Sequence, residues 1–286
     1  MARYAAEAGR YQLWVAWVCP WAGRTLAVRA LKGLEGVVDV NYALPGLGSQ
    51  GWVYEQGPDG ERPVGGYPLH KLYVEHDKTF TGKVTVPTLW DRKTRRIVNN
   101  ESAEIIRMLN SAFDDLTGNA LDLYPAALRA DIERWNDLIY ATLNNGVYRA
   151  GFAGSQEAYE EAAHGVFDTL ERMEQHLTVQ RYLAGEYCTE ADWRAFVTLV
   201  RFDTAYHGAF RCNLRRIEDY PALSGYLREL YQWPGIAQTV RLDAIKRGYY
   251  ELVDRHRIVA IGPALDLERP HGREGLPGRG IWTNGN

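Results

Sequence analysis

The apolar positions alternate between strand and helix periods over the first third of the chain and keep to a helical period over much of the rest. Residues 11 to 17, YQLWVAW, alternate and are rich in aromatic and β-branched types, which predicts a strand. After Cys19 and Pro20, the residues Leu26, Ala30, Leu31 and Leu34 recur at helical spacing, with Gly33 and Gly36 available to end the helix. VVDVNYAL reads as a second strand, so the opening is a strand, helix, strand unit with a parallel pair and a right-handed crossover. Residues 45 to 83 are rich in Gly, Pro and polar types, with one helix around HKLYVEH. VTVPTLWD and RRIVNN predict two short strands joined by a polar turn at Arg92 to Thr94, and NESAEIIRMLN starts a helix with Asn100 as its cap.

From about residue 125 long amphipathic helices take over. Leu128, Ile132, Trp135, Leu138 and Ile139 share one helix face; Tyr159, Ala163, Val166, Phe167, Leu170, Met173 and Leu177 share another. Thr189 and Asp192 make a capping-box start before a further apolar run. The pattern predicts an α/β plus all-α architecture: a small α/β domain over 1–112, a linker near 111 to 124, and an all-helical domain over 113–286. The tail after Gly262, with Pro270, Gly272, Gly275, Pro277 and Gly278, reads as irregular and surface-bound.

Composition narrows the function. The chain has 286 residues, 46% hydrophobic and 24% charged, which is ordinary for a globular protein. A net charge of -3 offers no electrostatic case for nucleic acid or an anionic membrane surface. The 18 Tyr and 9 Trp exceed what a core alone commonly uses, which points to an aromatic-lined cavity. Only 3 cysteines occur, Cys19, Cys188 and Cys212, far apart and odd in number, so a disulfide framework is disfavoured and a reducing compartment favoured. The opening MARYAAEAGR has no apolar h-region and no stretch approaches a membrane span, which leads to the expectation of a soluble cytoplasmic protein.

Pro20 at the first helical position puts Cys19 at the N-cap, where orphan N–H groups and the positive dipole end favour a thiolate over a thiol. A thiolate is the nucleophile that forms mixed disulfides. A buried cysteine filling a gap at a strand end is the competing reading, and position alone leaves the two about equal. Trp21, Ala22 and Gly23 follow Pro20, so no second cysteine stands where a dithiol oxidoreductase has one, and an external thiol must resolve any mixed disulfide.

Pro87 inside VTVPTLWD cannot donate to a sheet ladder and marks an edge or special geometry. A cis Val86–Pro87 bond would offer the backbone of Val86 to a ligand peptide, whereas a trans proline at a strand start is the commoner case. Glu101 and Ser102 place a carboxylate and a hydroxyl at a helix start, suited either to an amino-acid end of a ligand or simply to capping. Two other signals are set aside. GLGSQG, residues 46 to 51, has the glycines of a dinucleotide turn, but WVYEQGPDG after it is no helix. His70 and His76 lack the spacing and companions of a zinc site, so no metal site is expected, and no nucleophile-elbow or Walker sequence is present.

Taken in order, CPWAGR, VTVPTLWD, NNESAEIIRMLN, NNGVYRAGFA, LVRFDTAY and YQWPGIAQTV resemble the glutathione transferase superfamily, and within it the glutathionyl-hydroquinone reductases of the Xi class. The resemblance runs from about residue 9 to 272. It implies a thioredoxin-like glutathione-binding domain followed by a helical substrate domain, glutathione as co-substrate, a cytoplasmic homodimer, and no nucleic-acid or membrane partner. By the same resemblance Cys19 is the catalytic cysteine; Trp52 packs on glutathione; Lys83 is its basic partner; Val86 pairs with its backbone; Glu101 and Ser102 hold its γ-glutamyl end. Tyr148, Tyr206 and Tyr249 correspond to the tyrosines of the aromatic-substrate pocket. The sequence departs from the family where Gly23 replaces the usual histidine. An omega-like cysteine transferase acting on small disulfides or dehydroascorbate, and a non-catalytic binding module, are the rival readings.

Overall fold

Alternating apolar residues, a proline and a pair of glycines are enough to shape the first third of the chain. In the computed structural model, which describes residues 4–253 and 258–283, β1 (Tyr11–Val15) is wholly buried and lies inside a four-stranded sheet, between β2 (Val38–Tyr42) and β5 (Thr88–Asp91), with β6 (Arg96–Asn99) beyond β5. Residues 1–3 of the opening segment and 284–286 of the expected tail fall outside the described residues. Helix α1 (Pro20–Leu31) connects β1 to β2 (Val38–Tyr42), and the two strands run parallel with Leu13 opposite Val40. Gly33 takes φ of 63° just past the helix, a conformation that suits a residue without a side chain. On the other side β1 pairs antiparallel with β5 (Thr88–Asp91), which pairs antiparallel with β6 (Arg96–Asn99). Between β2 and β5 lie a two-stranded ribbon, β3 (Val53–Tyr54) with β4 (Tyr67–Pro68), and the helix α2 (His70–His76) at the predicted position.

Helix α3 (Ser102–Ser111) packs on α1. The stretch from 111 to 124, expected as a linker, is structured: it holds a short helix α4 (Asp114–Thr117) and a strand β7 (Leu121–Asp122). Lys32, fully buried, pairs with Asp114 at 2.9 Å and donates to the Asn119 carbonyl at 2.9 Å, which ties α4 to the end of α1. The chain accordingly clusters into two compact units, Met1–Asn119 with Thr239–Ala244, and Ala120–Gln238 with Ile245–Asn286. In the first unit the buried guanidinium of Arg10 grips both oxygens of buried Asp91, at 2.9 and 2.5 Å, and so joins the residue before β1 to the end of β5.

The second unit is built from α5 (Arg129–Ile139), α6 (Gly146–Gly151), α7 (Gln156–Leu177), α8 (Glu190–Arg201), α9 (His207–Ala209), α10 (Pro221–Tyr231) and most of α11 (Leu242–Val253). Every residue of α8 is buried, and its capping box forms as expected: Asp192 accepts from the Thr189 N–H at 2.7 Å. Buried Asp192 also accepts from Leu183 N–H and the Tyr226 hydroxyl, yet desolvation still raises its pKa. Two wide π-helical turns, Tyr140–Asn144 and Phe202–Tyr206, continue α5 and α8.

The tail corrects an expectation. Its strand β9 (Gly280–Thr283) pairs antiparallel with β7 and parallel with β8 (Tyr187–Cys188). Upstream, Arg273 is buried and donates to Glu229 at 3.0 Å, to the Leu177 carbonyl at 3.0 Å and to the Gln180 carbonyl at 3.1 Å. A polar, glycine-rich segment shows no apolar period, so the anchoring by one arginine leaves no trace in the pattern. Among the described residues, no helix is long and apolar enough to cross a membrane.

Candidate active site

Strand β1 ends and α1 begins at Cys19. Its backbone is extended, with φ of -75° and ψ of 119°, and Pro20 follows as the first helical residue, the N-cap geometry expected from the sequence. Cys19 is half-buried, packed against the cluster formed by Trp14, Ala16, Tyr54, Leu69, Val86 and Trp90. Its thiol donates to the Val86 carbonyl at 3.5 Å, a weak bond that places sulfur beside a backbone acceptor. Burial, with Cys19 and Tyr73 alongside, pushes the Tyr54 hydroxyl well above its usual pKa. All three cysteines are free. Burial raises the thiol of Cys188 well above its ordinary range and that of Cys212 to about 12, whereas Cys19 alone occupies a helix N-terminus at a partly open position.

Val86 is buried and its bond to Pro87 is cis. The loop that carries it is held from below by Tyr73 of α2. The phenol lies 3.0 Å from the Thr85 carbonyl, 3.1 Å from the Thr88 hydroxyl and 3.3 Å from the Thr85 nitrogen. Asn100 donates to the same phenol at 3.2 Å and to the Thr85 hydroxyl at 3.3 Å. Asn100 is therefore not the cap of α3. That position belongs to Glu101, whose carboxylate accepts from the Ala103 N–H at 3.4 Å while its own N–H donates to Asn99. The Asn100 amide is spent on the neighbouring loop, which leaves the capping to the carboxylate one residue on.

Ser102 opens α3 and is buried, its hydroxyl 3.3 Å from a guanidinium nitrogen of buried Arg24 on α1. A carboxylate, a hydroxyl, a buried cation and a helix N-terminus thus converge, an arrangement suited to both ends of an amino-acid zwitterion. Trp52 is half-buried against the same cluster as Cys19 and Val86. Lys83 is exposed on the segment leading to Val86. GLGSQG forms a turn closed by a bridge between Gly48 and Gly51 with no helix behind it. In the first unit, then, Cys19, Trp52 and Val86 share one apolar cluster, and Asn100 links the Val86 loop to the start of α3.

Tyr148, Tyr206 and Tyr249 come together inside the second unit. The Tyr249 hydroxyl lies 2.5 Å from that of Tyr148 and 3.0 Å from that of Tyr206. Tyr206 and Tyr249 are buried and Tyr148 is partly open. Burial, reinforced by its two phenol neighbours, raises Tyr249 well above the usual tyrosine pKa, so it stays a hydroxyl throughout the physiological range. Tyr206 ends one π-helical turn, and the helix that carries Tyr148 follows the other.

Two residues were missed from the sequence. Tyr73 is one. Phe210 is the other: its ring centroid lies 5.4 Å from those of Tyr148 and Tyr206 and 5.3 Å from that of Tyr249, so it is the apolar floor of the trio. The available signal was the helical spacing of four between Tyr206 and Phe210, repeated between Tyr148 and Phe152.

Comparison with known proteins identifies the family of the chain. Residues 18–112 match the family model of the glutathione S-transferase N-terminal domain, and residues 156–229 that of the C-terminal domain. The glutathionyl-hydroquinone reductase YqjG of Escherichia coli is 49% identical over 277 residues, covering 95% of this chain and 84% of that protein. The glutathionyl-hydroquinone reductase PcpF of Sphingobium chlorophenolicum is 49% identical over 271 residues, 93% of this chain and 87% of that one. The glutathione-bound structure of YqjG superposes with a TM-score of 0.89, covering 94% of this chain and 90% of that chain. With sequence and backbone both shared over nearly its full length, the chain belongs to the glutathionyl-hydroquinone reductases, the Xi class of the glutathione transferase superfamily.

Proposed function

We propose that this enzyme uses glutathione to reduce glutathionyl-hydroquinones to hydroquinones, with Cys19 as nucleophile. The Cys19 thiolate attacks the sulfur of the conjugate. The sulfur–sulfur bond forms as the carbon–sulfur bond breaks, and the departing aromatic carbon takes the electron pair and a proton. A glutathione thiolate then attacks the protein–glutathione mixed disulfide, releasing glutathione disulfide and restoring Cys19. The net change converts a conjugate and one glutathione into a hydroquinone and glutathione disulfide.

The observation that carries this reading is a single partly open cysteine at a helix N-terminus, 3.5 Å from the backbone oxygen that precedes a cis proline. Trp52, Lys83, Val86, Glu101 and Ser102 are proposed to bind glutathione, with the α3 terminus taking its α-amino-acid end. Tyr148, Tyr206 and Tyr249 are proposed to receive the aromatic end, where phenols stack on the ring and bond its hydroxyls. The family resemblance supports a cytoplasmic homodimer as the working form, and sedimentation tests the assembly. The decisive assay supplies a glutathionyl-hydroquinone and glutathione and follows hydroquinone release. Formation of hydroquinone and glutathione disulfide in equal amounts, lost in Cys19→Ser, is the expected result. Turnover of small mixed disulfides without hydroquinone release would replace this reading with the omega-like one.

A further inference from the structure

The hydroxyl of Tyr73 has no packing role that a phenylalanine would not fill. Its ring sits in the apolar cluster beneath Cys19 and Trp52, 5.0 Å from the ring of Phe80, and the residue is 3% exposed. What the oxygen adds is a junction. It holds the Thr85 peptide on both its nitrogen and its carbonyl side, meets the Thr88 hydroxyl beyond Pro87, and accepts from Asn100, the residue before the α3 cap. Thr85 and Thr88 flank Val86 and Pro87; Asn100 precedes Glu101 and Ser102. One buried atom thus joins two backbone segments that are remote in sequence.

We propose that Tyr73 is a positioning residue that sets the spacing between the Val86 loop and the start of α3, and so matches the site to the length of glutathione. The inference rests on the assignment of these two segments to glutathione made above. A ligand that spans both segments gains from their being pre-set, because fixing them is then not part of the cost of binding. A small reagent that meets only the cysteine gains nothing from it. The Asn100 amide makes both bonds between the segments, to the Tyr73 phenol and to the Thr85 hydroxyl, and Asn100 is exposed, so they are removable without opening the core.

The test measures binding of S-methylglutathione, which cannot react, by calorimetry to the full chain and to Tyr73→Phe, Asn100→Ala and the double variant. Alkylation of Cys19 by iodoacetamide is followed in parallel. Each single variant is expected to weaken binding about tenfold, near the upper end of what one lost hydrogen bond costs. The double variant should be no weaker than Asn100→Ala, which already cuts both bonds between the segments. Cys19 alkylation should keep its rate in all of them. Should Tyr73→Phe fold poorly, the surface variant Asn100→Ala carries the test. Unchanged binding in Asn100→Ala, additive losses in the double variant, or a parallel fall in alkylation would each overturn the inference. Failure of the unaltered chain to bind S-methylglutathione is a different result: it would overturn the glutathione site itself, and the role of Tyr73 with it.

Discussion

The hydroxyls of Tyr148 and Tyr249 lie 2.5 Å apart although the two residues are 101 positions apart in the chain. Tyr148 is the partly open member of the pair and Tyr249 the buried one. Replacing Tyr148 by Phe keeps the ring against Phe210 but removes the outer hydroxyl. A lost bond to a developing charge costs about 1.5–3 kcal/mol, or roughly ten- to a hundredfold in rate. That loss is expected with glutathionyl-hydroquinones and not with the mixed disulfide of glutathione and hydroxyethanethiol. Steady-state rates with the two substrates check it; equal losses would remove Tyr148 from the aromatic subsite.

The three cysteines should differ sharply toward alkylation. Raised thiol pKa values keep Cys188 and Cys212 protonated at neutral pH, and both are buried. Limited iodoacetamide at pH 7.5–8 (roughly the range in which an ordinary thiol near 8.5 begins to ionise) is expected to label Cys19 alone. Incubation with glutathione disulfide should likewise add one glutathione at Cys19, removable by glutathione. Mass spectrometry of peptides decides both, and a stable bond from Cys19 to Cys188 or Cys212 would refute the two-step mechanism.

Acid should act through Asp91. Its carboxyl is buried, a cost that would raise its pKa, but the bonds from Arg10, Thr94 and Lys93 outweigh that and lower it. A folded pKa below the unfolded value of about 3.9 means that the pair stabilises the fold above that pH and loses its effect as pH falls through the folded value. Asp91→Asn is expected to be less stable than the parent at pH 7, with the gap closing below about pH 3.9. Urea titrations at a series of pH values measure the gap; one that persists undiminished in acid would contradict the assignment.

Glu229 holds the second unit together. It receives Arg181 at 2.6 Å, Arg273 at 3.0 Å and the Tyr182 hydroxyl at 3.0 Å; Glu229, Arg273 and Tyr182 are buried and Arg181 is partly open. Glu229→Ala leaves Arg273 buried without its carboxylate, a change that typically costs about 3–5 kcal/mol. Denaturant midpoints should show this, with Cys19 alkylation unchanged in the folded protein. A loss below about 1 kcal/mol would place the cluster among surface ion pairs in its energetics.

The strand and helix that present Cys19 were legible because period, proline and glycine all agree there, and local consistency of that kind is what a sequence displays. Val86, Glu101 and Ser102 were readable as candidates from type and position. Asn100 was misassigned because an asparagine before a helix is a good cap in isolation, and its true partners, Tyr73 and Thr85, are 27 and 15 residues away. The same distance hid Tyr73, which reads as one more apolar helix residue. The π-helical turns before Tyr148 and at Tyr206 were invisible for another reason: five residues are too few for an apolar period to distinguish a wide turn from an ordinary one.

The seat of Arg273 bears on how the protein is made. Its guanidinium closes over carbonyls of Leu177 and Gln180 and the carboxylate of Glu229, groups synthesised well before it. A nascent chain halted before this residue has its α7 and α10 already translated, with Arg181 already on Glu229, but lacks the second guanidinium, which bridges the Leu177 and Ala222 carbonyls. The helical unit therefore completes its interior only after this late segment leaves the ribosome, and a stop codon upstream of Arg273 yields a chain in which Glu229 keeps Arg181 and Tyr182 but the buried carbonyl of Leu177 has lost its guanidinium donor.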